Sequence, residues 1–209
     1  FNMADEMMSG EDSENQVVLT RGKIITLLIK QFEKLPERDR NAILHGPFYL
    51  GSYAAFTGVL ANTLYRKALH VTRAPFASNL PMGFIPFASV ALVYNIAITN
   101  PLMTGDLNCS NCVIVRGALT SFFIGGIYPI LLALPCSAGL AARYNSAPQP
   151  ERGNIIRHWV NITKPIVMKM RPVLLLHVIY GSLLALWNFK IYEKMVKSIT
   201  EEEVLSAIE

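Results

Sequence analysis

The short motif Cys109-Ser110-Asn111-Cys112 is the segment of this sequence whose residue types and spacing could support chemistry. Two thiols separated by two residues can close a disulfide, act as a redox pair, or supply two of the four ligands of a zinc site. A redox pair would be expected at a strand-to-helix junction, and a zinc site needs ligands that do not lie nearby in the sequence. We favour a structural disulfide or two unreactive thiols, and keep the redox and zinc interpretations as alternatives.

His177 is a second candidate, because it lies inside an uncharged stretch and buried ionisable groups in membranes are often functional. The alternative, which we favour, is a neutral histidine that hydrogen-bonds to a neighbouring helix. Asn95 and Asn100 are interpreted in the same way. The sequence contains no glycine-rich phosphate loop, no nucleophile elbow and no cluster with metal-ligand spacing. We therefore expect no catalytic residue, no metal and no cofactor.

The elements that carry these residues are four stretches without Asp, Glu, Lys or Arg, each 18 to 32 residues long: Asn41–Tyr65, Ala74–Gly105, Gly117–Ala142 and Pro172–Phe189. At about 1.5 Å per residue, even the shortest would extend roughly 27 Å as a helix, close to the thickness of a bilayer core. Charged residues form 16% of the chain, whereas soluble domains average about 25%. We predict an all-α membrane protein with four transmembrane helices and an N-terminal amphipathic helix.

The predicted organisation has four parts. Residues 1–16 form a disordered acidic N-terminus, 17–46 amphipathic and short interfacial helices, 47–189 the four-helix transmembrane domain, and 190–209 a charged C-terminal helix or tail. Apolar residues at three- and four-residue steps predict an amphipathic helix over Val17–Leu35, either packed on the bundle or lying in the membrane interface. A short helix, Pro36–Leu44, would end at Gly46-Pro47.

Prolines and glycines set the expected limits of the spans. The first span covers Phe48–Leu64. The second begins at Pro81 or Pro86 and ends before Pro101, because proline suits a first turn and disfavours helix before itself. The third covers Val113–Leu134 and is kinked near Gly125-Gly126 and Pro129, and the fourth covers Pro172–Phe189.

Small residues on the first span form a candidate partner-helix face, consisting of Gly51, Ala55, Gly58 and Asn62. Residues of this size allow helix backbones to approach closely in lipid. Packing within the chain is the alternative use of this face, and the one that we favour.

Basic residues are concentrated in two predicted loops, Arg66–Arg73 and Arg143–Arg171, which carry Glu151 as their one acid. The positive-inside bias would place these loops in the compartment of synthesis or the mitochondrial matrix, and both termini on the opposite side. This distribution indicates membrane topology or contact with lipid head groups such as those of cardiolipin, and does not indicate a nucleic-acid surface. The candidate basic residues are Arg66, Lys67, Arg73, Arg143, Arg152, Arg157, Lys164, Lys169 and Arg171.

Several segments, taken in their order along the chain, resemble the transmembrane protein 126 family. The resemblance is nearer to the A-type member than to the B-type member. The segments are Lys34-Leu35-Pro36-Glu37-Arg38, Leu80 to Phe87, Thr104 to Cys112, Gly125-Gly126-Ile127-Tyr128-Pro129 and Gly139 to Tyr144. The resemblance implies a multi-pass protein of the mitochondrial inner membrane that assists assembly of respiratory complex I. It implies binding to unfinished antiporter-like membrane subunits and to other assembly factors, without catalytic residues or a small-molecule substrate.

Three functional hypotheses follow. The first is a non-enzymatic assembly factor for the membrane arm of complex I. The second is a small-solute carrier or channel of the mitochondrial inner membrane, against which the uncharged spans argue. The third is a redox protein that works through Cys109 and Cys112.

Overall fold

The computed structural model describes residue 22, residues 25–147 and residues 154–206, with side chains as far as residue 200. Almost all of this part of the chain is helical, and it contains no strand. The helices are α1 (residues 25–34), α2 (Glu37–Ala68), α3 (Pro75–Met103), α4 (Ser110–Tyr144) and α5 (Ile155–Ser206). The predicted disordered segment 1–16 lies outside the described residues. The same holds for residues 17–24 of the predicted amphipathic helix, except residue 22.

Three of the described helices are long and apolar enough to cross a membrane: Pro75–Met103, Ser110–Tyr144 and Ile155–Thr200. The sequence predicts four such helices. The remaining one, α2, contains the uncharged stretch Asn41–Tyr65 but also polar side chains such as Tyr53, Thr57 and Asn62. These side chains lower its hydropathy, so length and composition together support three spans.

The helix limits predicted at Pro47 and at Pro81 or Pro86 are wrong. Helix α2 continues through Gly46 and Pro47, both of which are buried, and is not interrupted there. Helix α3 begins at Pro75 and includes Pro81 and Pro86 in its interior. Proline removes one backbone hydrogen bond from a helix, but packing against neighbouring helices can hold the geometry within a bundle.

A π-helical segment interrupts α3 at Asn95–Thr99 and α4 at Ser121–Ile127. In both helices a proline, Pro101 or Pro129, is the second residue of the α-helical segment that follows. A wider π turn relieves the clash between a proline ring and the preceding turn of helix. Helix α3 therefore continues past the predicted stop to Met103, and the irregularity expected near Gly125-Gly126 takes the form of a π segment.

Helix α5 has 52 residues and is therefore about 78 Å long. It begins at Ile155, so most of the segment predicted as the basic loop Arg143–Arg171 is helical, and it continues without a break from the uncharged stretch to Ser206. Its internal prolines, Pro165 and Pro172, do not end it.

Helix α2 packs against α3, α4 and α5. It runs antiparallel to α5: Lys194 Nζ lies 2.9 Å from Asp39 Oδ2 at one end, and the Tyr65 hydroxyl donates to Thr163 Oγ1 over 3.1 Å at the other. One core cluster includes Leu28 of α1, and a second is centred on Ala61, Tyr65 and neighbouring helices. Residues 25–34 are thus anchored to the bundle through Leu28.

Candidate functional site

The cysteine motif lies at the start of α4. Cys109 is the N-cap residue, and its Sγ accepts a hydrogen bond of 3.3 Å from the backbone N–H of Cys112. Both side chains are exposed free thiols. Hydrogen bonds from Cys112, chiefly from its side chain, lower the pKa of the Cys109 thiol below its ordinary value. The motif has a loop-to-helix setting, and the predicted disulfide stays a prediction.

The loop before this motif is tied to α5. The Tyr192 hydroxyl donates to Asn108 Oδ1 over 2.8 Å, and the Thr104 hydroxyl donates to Asp106 Oδ2 over 2.8 Å. The side chain of Asn108 therefore fixes the backbone directly next to Cys109 against a long helix.

The small-residue face of α2 is covered by α3. A Cβ added at Gly51 would lie 2.9 Å from the Phe87 carbonyl oxygen, and Gly58 packs directly on the Met82 carbonyl. Ala55, between them, is half-buried. A partner helix could reach this face only by displacing α3, so in this structure the face makes contacts within the chain.

Asn62, the last residue of that face, is fully buried and links three helices. Its Nδ2 donates to Ser78 Oγ over 2.6 Å and to Asn79 Oδ1 over 2.7 Å, both on α3. Its Oδ1 accepts from Ser137 Oγ of α4 over 3.1 Å. These hydrogen bonds satisfy an amide that would be costly to leave unpaired in lipid.

His177 forms a second three-helix junction. Its Nε2 lies 2.9 Å from Thr57 Oγ1 of α2, and its Nδ1 lies 3.1 Å from Ser121 Oγ in the π segment of α4. The Tyr53 ring packs on the imidazole with centroids 4.4 Å apart, and the side chain of His177 is fully buried. This is the interhelical hydrogen-bonding arrangement that the sequence favours over a proton or ligand site.

Helices α4 and α5 cross at two glycines, and this contact was not predicted from the sequence. A Cβ added at Gly117 would lie 2.7 Å from the Gly181 carbonyl oxygen, and one added at Gly181 would lie 2.6 Å from the Gly117 carbonyl oxygen. Ser121 and Ala185 follow four residues later on the two helices and flank the crossing. The Gly-x-x-x-Ser spacing on α4 and the Gly-x-x-x-Ala spacing on α5 could have predicted this close helix crossing from the sequence.

The candidate basic residues do not form one surface. Arg66 is buried, and its guanidinium donates to the carbonyl oxygens of Arg73 (2.8 Å) and Ala74 (3.3 Å), so it stabilises the α2–α3 turn. Arg152 lies outside the described residues. The others are exposed, in the last turn of α2, on the α2–α3 connection, at the end of α4 or along the first half of α5: Lys67, Arg73, Arg143, Arg157, Lys164, Lys169 and Arg171.

The concave surfaces between the described helices include two that bear on function. A groove of about 400 Å³, here called the tyrosine groove, is lined by Tyr49 and Tyr53 of α2 and by Leu176, Ile179, Tyr180 and Leu183 of α5. A groove of about 580 Å³, here called the basic groove, lies between α4 and the first half of α5 and includes Trp159, Lys164 and Arg171 in its walls. Within the described part of the chain, no group of three His, Cys, Asp or Glu residues could hold a metal ion.

Comparison with known proteins gives a consistent family. The transmembrane protein 126 family model matches residues 22–202. Mouse transmembrane protein 126A is 45% identical over 174 residues, covering 83% of this chain and 89% of its own length. Human transmembrane protein 126A is 40% identical over 190 residues, covering 91% and 95%.

A more distant relative has a more informative name. The human protein named complex I assembly factor TMEM126B, mitochondrial, is 26% identical over 206 residues, covering 97% of this chain and 88% of its own length. No solved structure matches the chain. Since the family model and two relatives of at least 40% identity each cover most of the sequence, this chain belongs to the transmembrane protein 126 family.

Proposed function

We propose that this protein is a non-enzymatic assembly factor of the mitochondrial inner membrane that binds membrane-arm subunits of complex I before they are complete. The observation that carries the proposal is the alignment with human complex I assembly factor TMEM126B, which extends over 97% of the chain. The buried polar side chains agree with it, because the amide of Asn62 and the imidazole of His177 are hydrogen-bonded to other helices of the chain.

We infer four membrane spans, with α2 as the fourth. Helix α2 contacts α5 near both of its ends, through Asp39 with Lys194 and through Tyr65 with Thr163. Almost the whole length of α2 therefore lies beside α5. Since α5 is long and apolar enough to cross a membrane, a helix packed antiparallel along it crosses the same layer. The hydroxyl and amide groups that lower the hydropathy of α2, such as Thr57 and Asn62, are buried against other helices and away from lipid.

The tyrosine groove is the partner surface that we assign. Gly51 and Gly58 are covered by α3, whereas the side chains of Tyr49 and Tyr180 are 64% and 37% exposed on the outer face of α2 and α5. A phenol hydroxyl within the hydrocarbon layer lacks water and gains from a hydrogen-bonding partner. A transmembrane helix with a polar side chain or a small-residue face would supply one and fill the concave surface.

For orientation, we propose that the exposed cations of the α2–α3 connection and of the first half of α5 face the matrix. Arg73, Lys67 and Arg157 are exposed at this end of the bundle. The opposite end carries the cysteine motif, the start of α2 and the end of α5. We propose that this end, and with it both chain termini, faces the intermembrane space.

Site-specific photocross-linking in mitochondria tests the partner. A photoreactive phenylalanine analogue is placed at Tyr49 or Tyr180, and at Phe84 as the matched control, because Phe84 is 68% exposed on α3 outside the groove. We expect adducts with a membrane-arm subunit of complex I from positions 49 and 180, and not from position 84.

The results separate the surface from the function. Adducts with complex I subunits from position 84 alone would refute the tyrosine groove as the partner surface, but would still support the assembly role. Failure to recover any complex I subunit at any of the three positions, and in a pull-down of the unmodified protein from digitonin extracts, would refute the assembly role itself.

A further inference from the structure

The basic groove combines an apolar floor with cations at its edge. Its apolar walls are Leu131 and Leu134 of α4 and five residues of α5: Ile155, Ile156, Val160, Val167 and Met168. Among the described residues that line the groove, Lys164 and Arg171 are charged and none is acidic. Apolar surface next to positive charge is the pattern of a site for an amphiphilic anion.

The groove crosses the level at which α5 becomes uncharged. Arg171 is the last cation before the stretch Pro172–Phe189, while Ile155 and Ile156 lie at the start of the helix, more than four turns before it. Leu131 and Leu134 belong to the uncharged part of α4. The Arg171 end of the groove thus borders the acyl-chain layer, and the groove extends from there through the head-group level towards the start of α5.

Two cations line the basic groove on one face of α5. Lys164 and Arg171 are seven residues apart, so they project from one face of α5, about 10.5 Å apart along the helix. Both are exposed and therefore accessible to a ligand. A lipid with one phosphate would engage one of them, whereas a lipid with two phosphates joined through a short linker could engage both.

We propose that the basic groove is a binding site for a diphosphate phospholipid of the cardiolipin class. The acyl chains lie against Leu131, Leu134 and Val167, and the phosphates lie beside Lys164 and Arg171. This proposal requires α5 to cross a membrane but does not depend on a role in complex I assembly, so the two proposals fail independently.

Trp159 lines the groove and provides the probe. The chain has two tryptophans, and the other, Trp187, is 42% exposed on the outer surface of α5, so it is replaced by Phe. The full chain with W187F is reconstituted in phosphatidylcholine nanodiscs that contain increasing fractions of cardiolipin, phosphatidylglycerol or phosphatidylcholine with brominated acyl chains. We expect brominated cardiolipin to quench Trp159 at a lower mole fraction of brominated acyl chains than either other lipid; the fraction is counted in chains, since cardiolipin carries four chains and the others two.

Charge variants identify the cause of the preference. K164Q with R171Q should weaken the preference for cardiolipin by about fivefold for each cation removed. R157Q with K169Q removes the same charge from exposed positions of the same helix that do not line the groove, and should leave the preference unchanged. K164R with R171K keeps both charges and should retain it.

Three results would overturn the proposal. Equal quenching by the three brominated lipids would mean that the groove holds lipid without selection. Equal losses in the two glutamine pairs would assign the effect to overall charge. Quenching by phosphatidylglycerol that equals that of cardiolipin at the same phosphate concentration would refute a two-phosphate site.

Discussion

Thr57 Oγ1 lies 2.9 Å from His177 Nε2, and the direction of this hydrogen bond can be assigned. The Thr57 hydroxyl already donates its proton to the Tyr53 carbonyl oxygen, 3.0 Å away in the preceding turn of α2. Nε2 must therefore be the donor to Thr57, which leaves Nδ1 to accept from the hydroxyl of Ser121. The neutral Nε2–H tautomer satisfies every proton in this junction of α2, α4 and α5.

Replacing His177 by alanine should lower the stability of the bundle. The change removes two interhelical hydrogen bonds, each worth about 0.6 kcal/mol on average in membrane proteins, and leaves a cavity around Tyr53 and Ser121. We expect a loss of about 2 kcal/mol, read as a lower melting temperature of the purified protein in detergent. L176A is the control, since Leu176 is the preceding residue and is 52% exposed. Equal losses in H177A and L176A would contradict the role of the junction.

The glycine crossing gives a prediction with an internal control. A Cβ at Gly117 would meet the Gly181 carbonyl oxygen at 2.7 Å, whereas a Cβ at Gly139, on the same helix, would meet nothing within 4 Å. G117A should therefore separate α4 from α5 and destabilise the bundle by about 1–3 kcal/mol. G139A should be neutral or stabilising by up to about 1 kcal/mol, because alanine favours helix. Thermal unfolding of the two variants in one detergent tests the difference, and a similar effect of both would refute close packing at the crossing.

The cysteine motif predicts a difference in thiol reactivity. Because hydrogen bonds from Cys112 lower the pKa of the Cys109 thiol, more of Cys109 is thiolate at neutral pH. Its alkylation rate should rise through its midpoint at a lower pH than that of an ordinary thiol. C112A removes the side-chain donor and should move this midpoint upward, whereas C112S keeps a donor and should move it less. Mass spectrometry of the Cys109 peptide against pH measures this, and identical profiles for the three proteins would contradict it.

Hydropathy and charge predicted the helical class, because uncharged stretches such as Pro172–Phe189 reflect the cost of charge in lipid. The same reasoning failed at helix limits. The sequence predicted a helix end at Pro47, a beginning at Pro81 or Pro86 and an end before Pro101. The helices continue through all of these prolines, since neighbouring helices and π turns compensate for the lost hydrogen bond. Local signals of this kind describe an isolated helix and cannot include its neighbours.

The candidate functional residues were only partly predicted, again because a local sequence signal does not show which other helix a residue contacts. Spacing identified the small residues of α2, and it favoured packing within the chain, but it could not name α3 as the helix that covers Gly51 and Gly58. It marked Arg66 as a loop cation, although the guanidinium is buried on two backbone carbonyls. The tyrosine groove joins Tyr49 and Tyr180, which are far apart in sequence, and therefore has no sequence signal at all.

The number of spans can be tested through the two ends of α2. On a background without the native cysteines, Arg38 and Lys67, which are exposed at opposite ends of α2, are each replaced by cysteine. The matched pair on α5 is Arg157 and Lys197, also exposed, which must lie on opposite sides if α5 crosses the membrane.

In mitoplasts treated with a membrane-impermeant maleimide, R38C and K197C should be labelled directly, and K67C and R157C after permeabilisation. The antiparallel contacts of α2 and α5 require this pairing, because Asp39 lies beside Lys194 and Tyr65 beside Thr163. The reverse pattern would keep four spans and invert the proposed orientation. Labelling of R38C and K67C from the same side would leave α2 outside the membrane core. Because α2 packs along α5, that result would also mean that α5 enters the bilayer over a different part of its length than Pro172–Phe189.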